Sequence, residues 1–266
     1  MRNIKLKLAY DGTAYAGWQV QPGRATVQEK LQQAIEKLTG ERANVIASGR
    51  TDSGVHALAQ VANFQTQSRI PADRWVPALN SELPPDIVVR HAEEVDAEFH
   101  ATYAAKWKTY RYVIYTGETR NPFFRRYSYH VMQALDLPAM QDAAKHLVGK
   151  HDFRCFETEF PNRATSVRTI HDLRICRAAS IPSWHDAETS SASTGKFIWL
   201  EVTADGFLYN MVRAITGTLL QVGLGRWPAE LVRTILETGD RKHAGPTAPA
   251  CGLFLVHVEY GREIGG

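Results

Sequence analysis

Two successive series of strand and helix patterns set the strongest limit on how this chain can fold. The first opens with alternation over 4–10, followed by a helical face of Val27, Leu31, Ile35 and Leu38 within 26–38. Thr26 and Glu29 stand at capping-box spacing ahead of that face, and Gly40 follows it as a stop. Strand patterns over 43–48, 58–64 and 87–95 complete the series, with a helix over 72–82. The second series runs through a strand over 106–115, a helix over 137–148 ended by Gly149, and strands over 167–176 and 197–203. A helix over 207–222, a shorter one opened by Pro228 and a last strand over 252–260 close it. The expected fold class is α/β (α+β): two similar mixed-sheet halves, 1–104 and 105–266, with helices on their outer faces. No Pro/Gly linker marks 96–105, so the halves are expected to pack closely around an active-site cleft built from both.

At 266 residues, 44% of them hydrophobic and 22% charged, the chain is large enough to bury a core in each half. Met1 to Leu8 alternates without an apolar segment of signal-peptide length, and no run of eighteen apolar residues follows, so a cytoplasmic protein without a membrane partner is expected. Cys155, Cys176 and Cys251 are odd in number and far apart, which predicts buried or incidental thiols rather than disulfides or a zinc site. The net charge of +3 permits an anionic partner. More telling is 105–126, where Lys106, Lys108, Arg111, Arg120, Arg125 and Arg126 alternate with Trp107, Tyr110, Tyr112, Tyr115, Phe123 and Phe124. Cations for phosphates and rings for bases are what an RNA surface uses. For the rings, core packing of an aromatic strand is the stronger expectation.

Between the strands expected at 43–48 and 58–64 lies Gly49-Arg50-Thr51-Asp52-Ser53-Gly54-Val55-His56-Ala57, one carboxylate beside one guanidinium on a glycine-bracketed turn. The glycines allow backbone angles closed to other residues, and Thr51 and Ser53 can satisfy turn amides or the carboxylate. Read by itself, the segment is more readily a hairpin turn with a surface ion pair than a catalytic loop, since Asp-Ser-Gly is ordinary turn chemistry.

The run resembles the catalytic signature of the tRNA pseudouridine synthase A family. Tyr10-Asp11-Gly12 with Gly17-Trp18-Gln19-Val20-Gln21 resembles that family's opening motif, and Val27-Gln28-Glu29-Lys30-Leu31 the motif after it. Phe207 to Arg213 resembles its F-x-x-x-M-V-R helix, and Gly252-Leu253-Phe254-Leu255 its closing strand. The resemblance implies an isomerase that breaks the bond from ribose to N1 of uracil, turns the base and rejoins the sugar to C5. No atom is gained and no electron leaves, so no redox cofactor and no metal are expected. Asp52 is implied as the catalytic residue, either attacking the nucleoside or removing a sugar proton. Arg213 is implied as the cation that keeps Asp52 charged against desolvation, and Tyr110 as the ring against the uracil face. Leu253 is implied as an apolar wall, and Arg50 as a contact to phosphate or to the gap left by the extruded nucleotide. The resemblance further implies action at positions 38 to 40 of the tRNA anticodon stem-loop by a homodimer.

Other classes fit less of the sequence. A non-catalytic RNA-binding protein would use the basic, aromatic stretch but leaves the Asp52 turn and Arg213 without a role. A nucleotide-using enzyme lacks its phosphate loop, since Gly223-Leu224-Gly225 has no third glycine, and the histidines show no His-Glu-x-x-His for a metal hydrolase. His56 is expected to be structural. The Ser/Thr/Ala-rich segment 181–195, longer than the family pattern, is expected to be an exposed hairpin extension without chemistry.

Overall fold

The structure is a computed structural model that describes residues 1–158, 165–178 and 195–261. It divides into two compact units, Met1–Lys106 with Phe254–Gly266, and Trp107–Leu253. The final strand, assigned by sequence to the second half, thus groups from Phe254 onward with the first. Apart from Gly195, the segment 181–195 lies outside the described residues. Among the described residues no helix is long and apolar enough to cross a membrane.

In the first unit the strands are β1 (Arg2–Tyr10), β2 (Ile46–Ala47), β3 (His56–Thr66), β4 (Ile87–Val95) and, at the end of the chain, β10 (Leu253–Glu259). Their order is β4-β1-β3-β10, with β2 also on β3. β1 runs antiparallel to β3 and β4, whereas β10 runs parallel to β3. Alternation in β1 places Ile4, Leu6 and Leu8 opposite Phe64, Ala62 and Gln60 on one buried face. There α1 (Val27–Thr39) packs on α2 (Trp75–Glu82), and Trp75 meets the Phe64 ring edge-on at 5.2 Å. At the ends of α1, one half of the capping box forms, with Thr26 Oγ1 accepting from Glu29 N but no bond from Thr26 N to the Glu29 carboxylate among the described residues, and Gly40 takes the left-handed conformation with φ 74 as expected.

The other face of this sheet is covered by 96–104, the stretch read from sequence as the joint between halves. Asn3 Nδ2 donates to the carbonyls of Asp96 and Phe99, and Asn63 Nδ2 to Asn3 Oδ1, while Asn63 Oδ1 accepts from Ala101 N. β3 is therefore buried on both faces, apart from a half-buried Leu58 and an exposed Gln65, rather than the simple amphipathic strand its alternation suggested. The strand expected over 43–48 shrinks to Ile46–Ala47 because side chains of α1 take the backbone acceptors. Gln32 Nε2 donates to Ala43 O and Gln28 Nε2 to Val45 O.

The second unit is built on β5 (Trp107–Tyr115), β6 (Tyr129–His130), β7 (Gly149–Asp152), β8 (Val167–Ala178) and β9 (Phe197–Ala204). The order β5-β9-β8-β7 is antiparallel throughout, with β6 parallel to β5. Its helices are α3 (Leu137–Lys145), α4 (Met211–Gly223) and α5 (Leu231–Thr238). α3 packs on α4 so closely that a Cβ on Gly223 would lie 2.5 Å from Met140 Sδ. Gly149, read as a helix stop, instead starts β7 with φ 109. The helix expected from 207 begins at Met211, because Asn210 adopts φ 60 and leaves 207–210 outside it.

The aromatic strand is core, as weighed: Tyr110, Tyr112 and Tyr115 are all buried. Among its cations Arg111 is corrected. Arg111 is buried, donates through Nε and Nη2 to Glu201 Oε2 at 2.9 and 2.8 Å, and lies 4.5 Å over the Trp199 ring. It is a cross-strand ion pair, closed to phosphate. Lys106, Arg120, Arg125 and Arg126 are exposed. Of the thiols, Cys155 is buried and pushed up to about 12 by that burial, which keeps it an inert thiol.

Candidate active site

The Asp52 loop leaves β2 and returns into β3, held from below by residues 10–18. Trp18 N donates to Thr51 O at 3.0 Å, and Gly54 N and Ser53 Oγ both donate to Tyr15 O at 3.3 Å. Tyr10 Oη lies 2.8 Å from Thr51 Oγ1, and Gln60 Nε2 reaches from β3 to Gly49 O at 2.9 Å. Burial pushes the Tyr10 phenol up to about 12, so it stays a neutral hydroxyl at physiological pH. Val55 N closes a turn on Asp52 O at 3.1 Å, and Gly54 supplies the positive φ of 77 at its third position. Gly49 needs no such angle. Its contribution is the carbonyl that Gln60 holds.

Two glycines of the opening motif explain themselves here. A Cβ on Gly17, whose φ is 98, would stand 2.6 Å from Thr51 O and 3.1 Å from the carbonyl carbon of Asp52. A Cβ on Gly12 would stand 2.0 Å from Val55 O. The backbone of 12–17 is thus in direct contact with the loop that carries the carboxylate. Gly17→Ala is expected to shift that loop and to cost at least about 2 kcal/mol from the left-handed backbone and the overlap. Denaturant midpoints of variant and parent, with turnover measured in parallel, check it; unchanged values for both contradict the contact.

Around the loop, Asp52 is half-buried and Arg50 exposed. Arg50 makes no ion pair among the described residues, so the turn is not closed by its own Asp–Arg pair. His56 is structural as expected. Its buried ring accepts from Gly12 N at 3.1 Å, contacts Asp11 Oδ1 at 3.1 Å and stacks on Phe254 at 4.6 Å.

Tyr110 on β5, Arg213 in the first turn of α4 and Leu253 all fall in the second unit. Tyr110 meets Phe207 edge-on at 4.9 Å. Arg213, half-buried, donates through Nε to Ala248 O and through Nη1 to Asn210 Oδ1, both at 2.7 Å. Tyr112 Oη donates to Pro249 O at 2.7 Å, and the buried Leu253 follows four residues later. Segment 244–249 is itself seated on α4. A Cβ on Gly217 would lie 1.7 Å from Pro246 O, and Gly245 N donates to Thr218 Oγ1. Arg241 secures that segment from its start, donating to Ala244 O, Gly245 O and Thr247 Oγ1.

Sequence reasoning missed this support. Tyr10, Gly12 and Gly17 stood in a quoted motif without a role, and Arg241 carried no signal, since its partners are mostly backbone carbonyls.

The loop and the residues beneath it fall in one matched region of a larger likeness. A sequence profile described as tRNA pseudouridine synthase matches residues 8–104 and 143–261. The chain belongs to the tRNA pseudouridine synthase family. It is 48% identical over 260 residues to tRNA pseudouridine synthase A of Acetivibrio thermocellus, covering 98% of this chain and 100% of that protein. It is 48% identical, with the same coverage, to tRNA pseudouridine synthase A 2 of Clostridium perfringens. Identity to tRNA pseudouridine synthase A of Shouchella clausii is 45% over 265 residues, 99% of this chain and 95% of that one.

Proposed function

We propose that this protein is a cytoplasmic enzyme that isomerises uridine to pseudouridine in tRNA, at positions 38 to 40 of the anticodon stem-loop, and works as a homodimer. The observation that supports it best is the Asp52 turn itself: a carboxylate on a loop whose backbone is fixed by four hydrogen bonds, with Tyr15, Trp18 and Gln60 and across the turn from Val55 N to Asp52 O, inside a family match that spans both units. Fixed geometry is what a nucleophile or base needs, because small displacements of a reacting group are costly.

In the proposed reaction the N1–C1′ bond breaks, the freed uracil turns within the site, and a C1′–C5 bond forms. C5 loses its proton and N1 gains one, so atoms and electrons balance within the substrate. Asp52 acts on the ribose as an anion, Arg213 is the cation that keeps it ionised, and Tyr110 lies against the uracil. Leu253 lines the pocket, and Arg50, exposed beside Asp52, meets the RNA backbone or the gap left by the flipped nucleotide. No step calls for a metal or a nucleotide.

The test is direct. Purified protein incubated with an unmodified tRNA transcript, in chelator and without nucleotide, is expected to yield pseudouridine at positions 38 to 40. Strict dependence on an added cofactor, or binding without isomerisation, contradicts the proposal.

A further inference from the structure

Segment 99–104 presents a feature that the proposed chemistry does not use. Tyr103 is 84% exposed, and its ring lies 4.2 Å from that of His100 at an interplanar angle of 26°. A single exposed aromatic needs no explanation. This one is held in place. Thr102 N and Tyr103 N both point at His100 Nδ1, at 3.3 and 3.4 Å, and Ala104 N closes the turn on His100 O at 2.9 Å. Below it, Ala101 is fully buried, its N–H donating to Asn63 Oδ1 at 2.9 Å and its carbonyl accepting from Tyr260 Oη at 2.8 Å. Thr102 Oγ1 donates to Ala47 O at 2.6 Å. Ala47 ends β2, five residues before Asp52 and three before the exposed Arg50.

A ring on a fixed backbone that already stacks on His100 has less freedom to lose when something stacks on it, which lowers a cost that a side chain on a mobile loop would impose. Its open face accepts any planar group, and two cations nearby are exposed: Lys106, three residues on in sequence, and Arg50, three residues past the Ala47 carbonyl that Thr102 holds. Flat aromatic faces beside cations are how proteins hold unpaired bases without reading their identity.

We propose that the His100–Tyr103 stack is a base-stacking platform for the RNA substrate, engaging an unpaired or displaced base beside the Asp52 loop. The proposal takes its substrate class from the function proposed above. Tyr103 is a binding residue and takes no part in bond making.

Tyr103→Ala and Tyr103→Trp, each with an unmodified tRNA transcript, test it. The alanine variant is expected to raise both the Kd for tRNA and KM about tenfold, with kcat at saturating tRNA within about twofold of the parent. The tryptophan variant, which restores a stacking face, is expected to bind within about threefold of the parent. An alanine variant that binds as the parent does, or a tryptophan variant as weak as alanine, overturns the platform. So does a change of particle mass in light scattering with unchanged tRNA affinity, which would assign the ring to a contact between copies of this chain. If the parent binds tRNA but makes no pseudouridine, the function proposed above fails while the binding series still decides the role of Tyr103.

Discussion

Asp52→Asn is expected to lower pseudouridine formation by at least about a thousandfold, on the order of 4 kcal/mol of lost transition-state stabilisation. The amide matches the carboxylate in shape, and the turn around it is held by backbone groups that the substitution leaves alone. Val55 N still reaches the carbonyl of residue 52, Trp18 N still reaches Thr51 O, and Gly54 keeps its conformation. What disappears is the anion. Melting temperature is therefore expected to stay within a few degrees of the parent and tRNA affinity within about tenfold, a change of about 1.4 kcal/mol. Single-turnover rates with saturating enzyme separate the chemical step from binding. A parental rate in this variant contradicts a role for Asp52 in catalysis, and a variant that no longer binds tRNA makes it a binding residue instead.

Arg213→Ala carries the second large effect, and it acts on stability as well as turnover. Nε and Nη1 of Arg213 tie the first turn of α4 to Ala248 O and Asn210 Oδ1. Alanine leaves both acceptors without that donor. Because the site is half-buried, water replaces part of the loss, and about 2 kcal/mol is expected. Turnover is expected to fall at least about a hundredfold, since the proposed counter-ion of Asp52 is gone. Arg213→Lys is expected to recover part of the stability but little of the rate, because an ammonium cannot reproduce the fork that serves two acceptors at once. Urea unfolding and kcat measured on the same preparations check both. A loss of rate that merely follows the loss of folded protein would make Arg213 a structural residue alone.

Much of this was legible in the chain because the signals were local. Thr26 and Gly40 bracket α1 as their chemistry dictates, and alternation from Ile4 to Tyr10 marks a strand with one buried face. What sequence could not show depends on partners distant in the chain. Arg111 looked like one more cation in a basic stretch, yet Glu201, ninety residues away, neutralises it across the sheet. The span 43–48 looked like a strand, but glutamines from α1 compete for its carbonyls. Asn210 in the left-handed region delays α4 by a turn, which periodicity alone does not reveal. At the site, the signature identified the Asp52 loop. The reason that loop holds its shape, the close approach of Gly12 and Gly17 beneath it, appears only when the two segments are brought together.

The most direct measurement of the central claim uses tRNA labelled with tritium at C5 of its uridines. Rejoining the sugar to C5 must expel that hydrogen to water, and nothing else in the proposed reaction does. The parent protein, in chelator and without nucleotide, is predicted to release tritium in step with the pseudouridine formed. Release that requires an added metal or nucleotide, or no release from a tRNA that the protein binds, contradicts the account.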